Sequence, residues 1–227
     1  MFKPADLFDL KQTDHAAIFD GCELAWEALS KIKAYIAVNI RPALKNHCAG
    51  VAFIGKDVFI GEGTEVEDGV MIKGPAIIGK NCEIRHNAYI RDNVIIGDGC
   101  VIGNSTELKN ALLFNNAVAP HFNYIGDSIL GHKTHLGAGV ILSNFKSLPG
   151  NVTVEVNGKP LNTGLRKFGA LLGDFAAGGC NSVLNPGSVI GRNSLIYPSS
   201  NWRGVLPANM IVKNKGTLEV IVRKRQV

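Results

Sequence analysis

From residue 54 to residue 108 the chain places a hydrophobic side chain at every sixth position. These positions hold medium or large aliphatic residues: Ile54, Ile60, Val66, Ile72, Ile78, Ile84, Ile90, Ile96, Ile102 and Leu108. Four residues after each one, from Val58 to Thr106, stands a small or β-branched residue. Neither an α-helix, with a period of about 3.6 residues, nor an alternating strand produces a period of six. The pattern predicts a triangular β-solenoid in which three hexapeptides complete one coil.

Residues that lie three hexapeptides apart should stack at the strand spacing of about 4.8 Å. Gly61, Gly79 and Gly97 fall in one such stack. We interpret this column as a repeated corner at which either a side chain is unwelcome or the backbone needs a positive φ.

Two further runs of the same period follow. The second restarts four residues after Leu108 and holds Leu112, Val118, Tyr124, Leu130, Leu136 and Leu142. It predicts that one hexapeptide lacks two residues, and irregular backbone in a rigid scaffold is a common place for function. The third run is in phase with the second and holds Leu172, Gly178, Leu184, Ile190, Ile196 and Trp202.

The period of six disappears between the second and third runs. Residues 152–156 alternate apolar and polar side chains, and the pair Asn157-Gly158 that follows is a strong two-residue hairpin turn. We therefore expect a protruding hairpin loop over residues 145–168, after which the solenoid resumes.

The segment before the solenoid predicts one helix. Asp20 and Glu23 have the spacing of a capping box, and apolar residues then recur every four positions at Leu24, Ala28, Ile32 and Ile36. Arg41-Pro42 should end this amphipathic helix. We expect it either to cap the lower end of the solenoid or to pack along its side.

These patterns divide the chain into three parts. Residues 1–50 form an N-terminal helical segment, residues 51–205 a β-helix with the loop 145–168, and residues 206–227 a C-terminal basic tail. The predicted fold class is an all-β solenoid of hexapeptide repeats with an N-terminal helix and a protruding hairpin.

Composition adds few constraints. The formal charge of +5 is small and spread along the chain, and no aromatic-rich basic patch predicts nucleic-acid binding. Residues 1–10 lack the apolar run of a signal peptide or membrane span, so we expect a cytoplasmic protein without a membrane segment. The five cysteines show no C-x-x-C spacing, which favours reduced thiols. Cys82 and Cys100 should stack as small core residues, with a disulfide as the alternative.

A column of cations is the first candidate for chemistry. Lys73, Arg91 and Lys109 each follow an aliphatic corner and lie three hexapeptides apart. Stacked like charges repel each other, so a bound phosphate would offset the repulsion. The alternative is that the three long side chains splay apart into solvent.

The polar segment 120–128 is the second candidate. His121 in this segment is a candidate general base because imidazole titrates near neutrality, and Glu107 on the neighbouring coil is placed to orient it. A purely structural histidine in a turn is the alternative. Asn144 stands where the loop departs, and its amide could hold a carbonyl oxygen. His132 and His135 are not expected to converge on a metal in a solenoid.

Two motifs carry a resemblance to a known family. The sequences P-H-F-N-Y-I-G-D-S at 120–128 and L-G-A-G-V-I-L-S-N-F at 136–145 resemble the acetyltransferase domain of the bifunctional N-acetylglucosamine-1-phosphate uridylyltransferase/glucosamine-1-phosphate acetyltransferases. The likeness is strongest to archaeal-type sugar-phosphate nucleotidylyltransferases, and it covers about residues 20–215. The resemblance implies that the parallel β-helix is left-handed. It also suggests that this chain is the acyltransferase half without the nucleotidylyltransferase domain.

The resemblance implies a role for each matching position. His121 corresponds to the general base, with Glu107 as the carboxylate beside it and Asn144 at the acetyl group. The substrate-binding positions are Arg91 and Lys109 for the phosphate, Tyr124 for the sugar, and His135, which stands where many members have a sugar-binding Asn. The coenzyme A positions are Ala138, Asn144, Phe145, Cys180 and Pro198.

The expected function is an acetyl-CoA-dependent N-acetyltransferase. Its acceptor would be an amino-sugar phosphate such as glucosamine-1-phosphate, in nucleotide-sugar and cell-envelope precursor synthesis. The resemblance also implies a homotrimer, and a separate nucleotidylyltransferase is a candidate partner. The alternative is a non-catalytic β-helix scaffold or regulatory subunit that pairs with such a nucleotidylyltransferase. A transferase that uses acyl-ACP is a third reading, although the sequence shows no acyl groove.

Overall fold

The computed structural model describes residues 2–156, 158–214 and 216. Within these ranges the chain forms a parallel β-helix with strands on three sides, and the strands of each side pair in parallel with those of the neighbouring coils. The predicted solenoid fold is therefore confirmed. No helix in the described ranges is long and apolar enough to cross a membrane.

The three sides are named here by what they carry. The covered side has the strands Ala43–Leu44, Val58–Ile60, Ala76–Ile78, Val94–Ile96, Ala170–Leu172, Ser188–Ile190 and Val205–Leu206. The cation side has Phe53–Ile54, Met71–Ile72, Tyr89–Ile90, Ile141–Leu142, Val183–Leu184 and Asn201–Trp202. Two long strands, Glu107–Leu113 and Tyr124–Leu130, turn from the cation side onto the covered side. The third side has His47–Ala49, Glu65–Glu67, Glu83–Ile84, Val101–Asn104, Val118–His121, His135–Leu136, Ala177–Gly178, Leu195–Ile196 and Ile211–Val212.

The aliphatic residues of the first run fill the interior. From Ile60 to Leu108 each of them is fully buried, and the small residues that follow line the same core. The thiols of Cys82 and Cys100 are buried there and free, in accordance with their interpretation as small core residues.

The glycine column is explained by a close approach of the backbone. Gly61, Gly79 and Gly97 do not have positive φ angles. A Cβ atom on Gly61 would lie 2.7 Å from the carbonyl carbon of Gly79, and one on Gly79 equally close to that of Gly97. The glycines of this column are therefore required because a side chain has no room there, and not because the backbone needs a positive φ.

The second hydrophobic run differs from the prediction. After Leu108 the core residues are Leu113, Ala119, Ile125 and then Leu130, so the expected single loss of two residues is wrong. Instead, two corners each lose one residue. In this region each corner has one residue with a positive φ, and these residues are normally six positions apart. The spacing is only five positions from Ser105 to Asn110 and from Phe122 to Asp127.

The altered register changes which side chains face outward. Strand partners here lie seventeen residues apart, as in the pairs Ile96–Leu113 and Leu113–Leu130. Val118 and Tyr124 consequently point outward and are half-buried. Leu112 is buried, but outside the solenoid, beneath the N-terminal segment.

The N-terminal segment begins with short helical turns at Pro4–Leu7, Leu10–Gln12, Ala16–Phe19 and Ala25–Glu27 and ends in an α-helix at Ala28–Asn39. The predicted capping box of Asp20 and Glu23 is wrong. The carboxylate of Glu27 accepts the backbone N–H groups of Glu23 at 2.9 Å and Leu24 at 3.3 Å. The helix ends before Arg41, as predicted.

The helix packs along the side of the solenoid and does not cap its lower end. The outward residues of the covered side form an apolar column: Phe59, Ile77, Ile95, Leu112, Ile129, Leu171, Val189 and Val205. Leu29, Ile32 and Ile36 of the helix are buried against this column. The carboxylate of Asp174 adds a polar anchor, since it accepts the backbone N–H of Asp9 at 2.7 Å.

The predicted hairpin is present as the antiparallel strands Thr153–Val156 and Lys159–Asn162; Asn157 in its turn lies outside the described residues. Val152 and Val154 are buried in the cluster on the covered side, so the base of the hairpin is packed and only its outer part is exposed.

The division of the chain into domains stays a prediction, but the bounds of the β-helix are wider than 51–205. Ala43–Leu44 already pairs in parallel with the next coil, and Ile211–Val212 still pairs with the coil before it. Of the predicted basic tail, residues 215 and 217–227 lie outside the described ranges.

Candidate active site

Four of the predicted coenzyme A and catalytic positions form one column at the corner between the third side and the cation side. We call His121, Ala138, Cys180 and Pro198 the corner column. Neighbouring members of the column are linked by one backbone hydrogen bond, in which the residue after the upper member donates its N–H to the carbonyl of the lower member. Gly139 donates to the His121 carbonyl at 3.0 Å, Asn181 to that of Ala138 at 2.8 Å, and Ser199 to that of Cys180 at 2.8 Å.

His121 ends a strand at this corner, and its side chain is exposed. Its backbone N–H donates to the side-chain oxygen of Asn123 at 3.2 Å, while the amide nitrogen of the buried Asn123 donates to the carbonyl of Gly137 at 2.7 Å. Asn123 thus fixes the turn that carries the histidine. Within the described residues no hydrogen bond engages the imidazole itself, so the ring is open to a ligand.

The residue after His121 has a backbone conformation that is rare for a bulky side chain. Phe122 has a φ of 52° and is 61% exposed. A bulky residue in the left-handed region is uncommon, although the exposed Phe175 at another corner shares this conformation with a φ of 61°. The sequence offered a signal for it, because most corner positions of this type hold Asn, Gly or Ser.

The cation column is formed as predicted on the cation side. The backbone N–H of Lys73 donates to the carbonyl of Ile90, next to Arg91, at 2.8 Å, and Arg91 donates to the carbonyl of Leu108, next to Lys109, at 2.9 Å. The three residues therefore occupy equivalent positions on adjoining coils.

Glu107 contacts Arg91 and not His121. The Arg91 guanidinium donates to the Glu107 carboxylate at 2.9 Å, and each side chain is about one-third exposed. This hydrogen bond raises the pKa of Arg91. The expected contact with His121 is not formed within the described chain, because Glu107 lies in register with Tyr124, beyond the turn that follows the histidine.

Tyr124 and Asn144 meet above Gly126. A Cβ atom on Gly126 would lie 2.6 Å from the amide nitrogen of Asn144 and 2.7 Å from the hydroxyl of Tyr124. Only glycine leaves room for both groups. Burial, with the charges of Glu107 and Asp127, raises the pKa of the Tyr124 phenol.

Asp127 is a site residue that the sequence reasoning missed. Its carboxylate is buried and accepts hydrogen bonds from the side-chain amides of Asn144 and Asn110. Asn110 also donates to the carbonyl of Leu29 in the N-terminal helix at 3.4 Å. Asn110, Asp127 and Asn144 are spaced seventeen residues apart in the sequence. This spacing predicts a stack only for coils of seventeen residues, and the sequence does not show which coils are shortened.

The remaining predicted positions are more peripheral. His135 is exposed on the third side and pairs with Val118 and Ala177. Phe145 is exposed beside Asn144, with the Arg166 guanidinium 4.3 Å from its ring centre. Arg166 also donates to the carbonyl of Gly150 at 3.0 Å, so it ties the start of the loop together. Among the described residues no three His, Cys, Asp or Glu side chains converge as metal ligands would.

Comparison with known proteins supports the resemblance seen in the sequence. Residues 72–159 match the family described as GMPPB C-terminal domain. A bifunctional sugar-1-phosphate nucleotidylyltransferase/acetyltransferase of Sulfurisphaera tokodaii is 36% identical over 40% of this chain and 22% of its own length. The bifunctional protein GlmU of Methanococcus maripaludis is 36% identical over 51% of this chain and 28% of its own length. The matched part thus spans about a quarter of these relatives.

Solved structures of similar shape are more distant in sequence. A UDP-N-acetylglucosamine acyltransferase of Francisella novicida matches 74% of this chain and 64% of its own, with 20% identity and a TM-score of 0.42. A polysialic-acid-specific acetyltransferase, NeuO, matches 81% of this chain and 89% of its own, with 14% identity and a TM-score of 0.33.

Proposed function

We propose that this chain is an acyltransferase that moves an acetyl group from acetyl-CoA to the amine of an amino-sugar phosphate such as glucosamine-1-phosphate. The observation that carries the proposal is the corner column, in which the candidate base and three candidate coenzyme A positions stack although they are distant in sequence. The activities named for the relatives, which include a bifunctional sugar-1-phosphate nucleotidylyltransferase/acetyltransferase, support the same chemistry.

The donor would lie along the corner column. Above His121 the column presents Ala138, Cys180 and Pro198, of which the last two are exposed. Their side chains are small, so an extended ligand could approach the backbone amides along several coils. Phe145, exposed where the loop departs at the opposite corner of the cation side, would be a further contact of the donor.

The reaction needs a base and a donor for the oxyanion. His121 would accept a proton as the amine attacks the thioester carbonyl, and the proton would pass to the departing coenzyme A thiolate. One N–H of the Asn144 amide is committed to Asp127, and the other is left for the Tyr124 hydroxyl or for the oxyanion. A positioned base contributes about 10²- to 10⁴-fold and one oxyanion donor roughly 10²- to 10³-fold.

The acceptor would be held on the cation side. Arg91 and Lys109 would bind its phosphate and Tyr124 its sugar ring, with His135 as a further candidate contact. Glu107 would fix the guanidinium of Arg91 in place. The assembly is proposed to be a homotrimer, with a separate nucleotidylyltransferase as a candidate partner.

The proposal is tested by incubating the purified protein with acetyl-CoA and glucosamine-1-phosphate and following the release of the coenzyme A thiol. Glucosamine without the phosphate is the matched control, because it offers the same amine and no anion. Release with the phosphorylated sugar and much less with the control supports the proposal. Binding of sugar phosphate without any thiol release from acetyl-CoA favours the non-catalytic alternative, a scaffold or regulatory subunit.

A further inference from the structure

The cation column is longer than a single phosphate requires. Lys73 and Lys109 are two coil spacings apart, which corresponds to about 9–10 Å between their backbones. One phosphate group is smaller than a single coil spacing, so it can be held by two neighbouring cations of this column. The third cation, Lys73, has no role in the binding of a sugar monophosphate.

The column also carries more charge than the protein neutralises. Among the ion pairs of the described residues, Arg91 is paired with Glu107, whereas Lys73 and Lys109 take part in none. Arg91 lies near the carboxylates of both Glu107 and Asp92, so the two positive charges left without an ion pair along this edge of the described chain are those of Lys73 and Lys109. Like charges stacked on adjoining coils destabilise each other, and a diphosphate diester carries the two negative charges that would balance them.

An apolar strip runs beside the lower part of the column. The outward positions next to it hold Phe53, Met71 and Tyr89, which are in register on three adjoining coils. Phe53 is 57% exposed and Met71 is 37% exposed. The ammonium group of Lys73 lies 5.4 Å from the centre of the Tyr89 ring, so the lowest cation meets the strip. The aromatic rings of Phe53 and Tyr89 next to a cationic track are suited to a stacked base.

We propose that the acceptor is an amino sugar linked to a nucleoside diphosphate. This inference rests on the proposed acetylation at His121 and names the substrate class of the same site. The sugar amine reaches His121, the diphosphate lies across Lys109, Arg91 and Lys73, and the base lies on the strip of Tyr89, Met71 and Phe53. The donor path rises from His121 towards Pro198 and the acceptor path descends from it, so the two ligands do not compete for space.

The binding test uses UDP and GDP as probes, with pyrophosphate and orthophosphate as reference anions, all measured by calorimetry on the full chain. Three variants accompany the wild type. Lys73→Met removes the lowest cation, Tyr89→Leu removes the ring of the strip, and Lys80→Met is the matched control, because Lys80 is an exposed lysine on another corner of the same coil. Thermal unfolding of each variant reports on its fold.

We expect at least one nucleoside diphosphate to bind about 10-fold or more tightly than orthophosphate, since a charge-assisted contact contributes roughly 1.5–3 kcal/mol. Lys73→Met should lower the affinity for nucleoside diphosphate and for pyrophosphate by about 10-fold and leave the affinity for orthophosphate unchanged, on the same estimate. Tyr89→Leu should lower the affinity for the nucleoside diphosphate alone. Lys80→Met should change the affinity for none of the probes. Nucleoside diphosphates that bind no better than orthophosphate, or a Lys73→Met variant that binds them normally, overturn the inference.

A second measurement separates this inference from the proposed function. Acetylation of glucosamine-1-phosphate by a protein that shows no preference for nucleoside diphosphates refutes the inference and keeps the function. Tight, Lys73-dependent binding of a nucleoside diphosphate by a protein that releases no thiol from acetyl-CoA supports the nucleotide site and refutes the function. With both intact, a nucleotide-linked amino sugar such as UDP-glucosamine should show a lower KM than glucosamine-1-phosphate, and Lys73→Met should abolish that difference.

Discussion

The buried carboxylate of Asp127 accepts a hydrogen bond from the side-chain amide of Asn144, the residue at which the chain leaves the β-helix. The other carboxylate oxygen accepts the amide of Asn110 at 2.9 Å. A carboxylate offers only acceptors, so it forces both amides to turn their N–H groups towards it. The orientation of Asn144 in the proposed site is therefore set by a residue that need not touch the substrate.

Asp127→Asn tests this orientation. The amide has one acceptor oxygen, so one of the two neighbouring amides must turn away, and we expect kcat to fall roughly 10- to 100-fold, up to the loss of one oxyanion donor. The KM for the phosphorylated acceptor should change little. Asp57→Asn, at an exposed aspartate on a lower coil, is the matched control. In a double-mutant cycle Asn144→Ala should add little to Asp127→Asn; independent, additive losses would contradict the coupling.

His121→Ala should lower turnover at saturating substrates by about two to four orders of magnitude, because the proton acceptor is lost. The affinity for acetyl-CoA should hardly change, since the imidazole is not needed to bind its pantetheine arm. His47→Ala, which alters an exposed histidine on the lowest coil, is the control. Steady-state kinetics and an acetyl-CoA binding titration check both statements, and near-normal turnover in His121→Ala would remove the catalytic assignment.

Arg91→Ala and Lys109→Ala should each lower the affinity for glucosamine-1-phosphate by about 10-fold or more, as expected for a lost charge-assisted contact. Arg85→Ala is a close control, because Arg85 forms a comparable ion pair with Glu83 on the third side and is equally exposed. Glu107→Gln should raise the KM for the acceptor, since it releases Arg91. A fall in kcat with unchanged KM would instead return Glu107 to the role of orienting His121.

Gly79→Ala should destabilise the β-helix. The new Cβ would lie 2.7 Å from backbone atoms of the coil above, and overpacking of this kind costs about 1–3 kcal/mol. Gly178→Ala is the contrasting variant, because a Cβ there meets its nearest neighbour at an ordinary 3.5 Å. Urea unfolding should show a clearly lower free energy of unfolding for Gly79→Ala than for Gly178→Ala; equal values would refute the close-approach explanation.

The docking of the N-terminal segment should weaken in mild acid. His15 hydrogen bonds with the Tyr35 hydroxyl at 3.2 Å, and burial lowers its pKa despite the nearby charges of Asp14 and Asp98. The unfolded chain therefore binds the proton more tightly than the folded one. The free energy of unfolding should fall as the pH drops through the unfolded value near 6.5 and below it.

His15→Phe keeps the aromatic ring and removes the titration. The difference in Tm between pH 7.5 and pH 5.5 should be smaller in His15→Phe than in the wild type, whereas the exposed-site variant His47→Gln should behave as the wild type does. An unchanged difference in His15→Phe would show that other groups produce the acid sensitivity.

The repeat itself was legible in the sequence. The period of six needs only local information, since each hexapeptide carries its own inward aliphatic and its own corner, and Lys73, Arg91 and Lys109 follow from counting along it. The hairpin was also predicted correctly, because alternation and a two-residue turn are local signals. The roles at His121 and Asn144 came from a resemblance carried by two short motifs and stay predictions.

The sequence alone could not place the shortened coils. The sequence has an apolar side chain at both Leu112 and Leu113, and only the packing decides that Leu113 enters the core while Leu112 lies beneath the helix. That choice turns Tyr124 outward and aligns Asp127 with Asn144. The partner of Glu107 was likewise decided in three dimensions. Arg91 and His121 each lie about one coil away from Glu107 along the chain, but Arg91 is on the same side of the prism as Glu107 and His121 is on the other side of a corner. Local periodicity thus determined the repeating fold, whereas contacts between coils, which depend on register and on what covers each side, determined the geometry of the site.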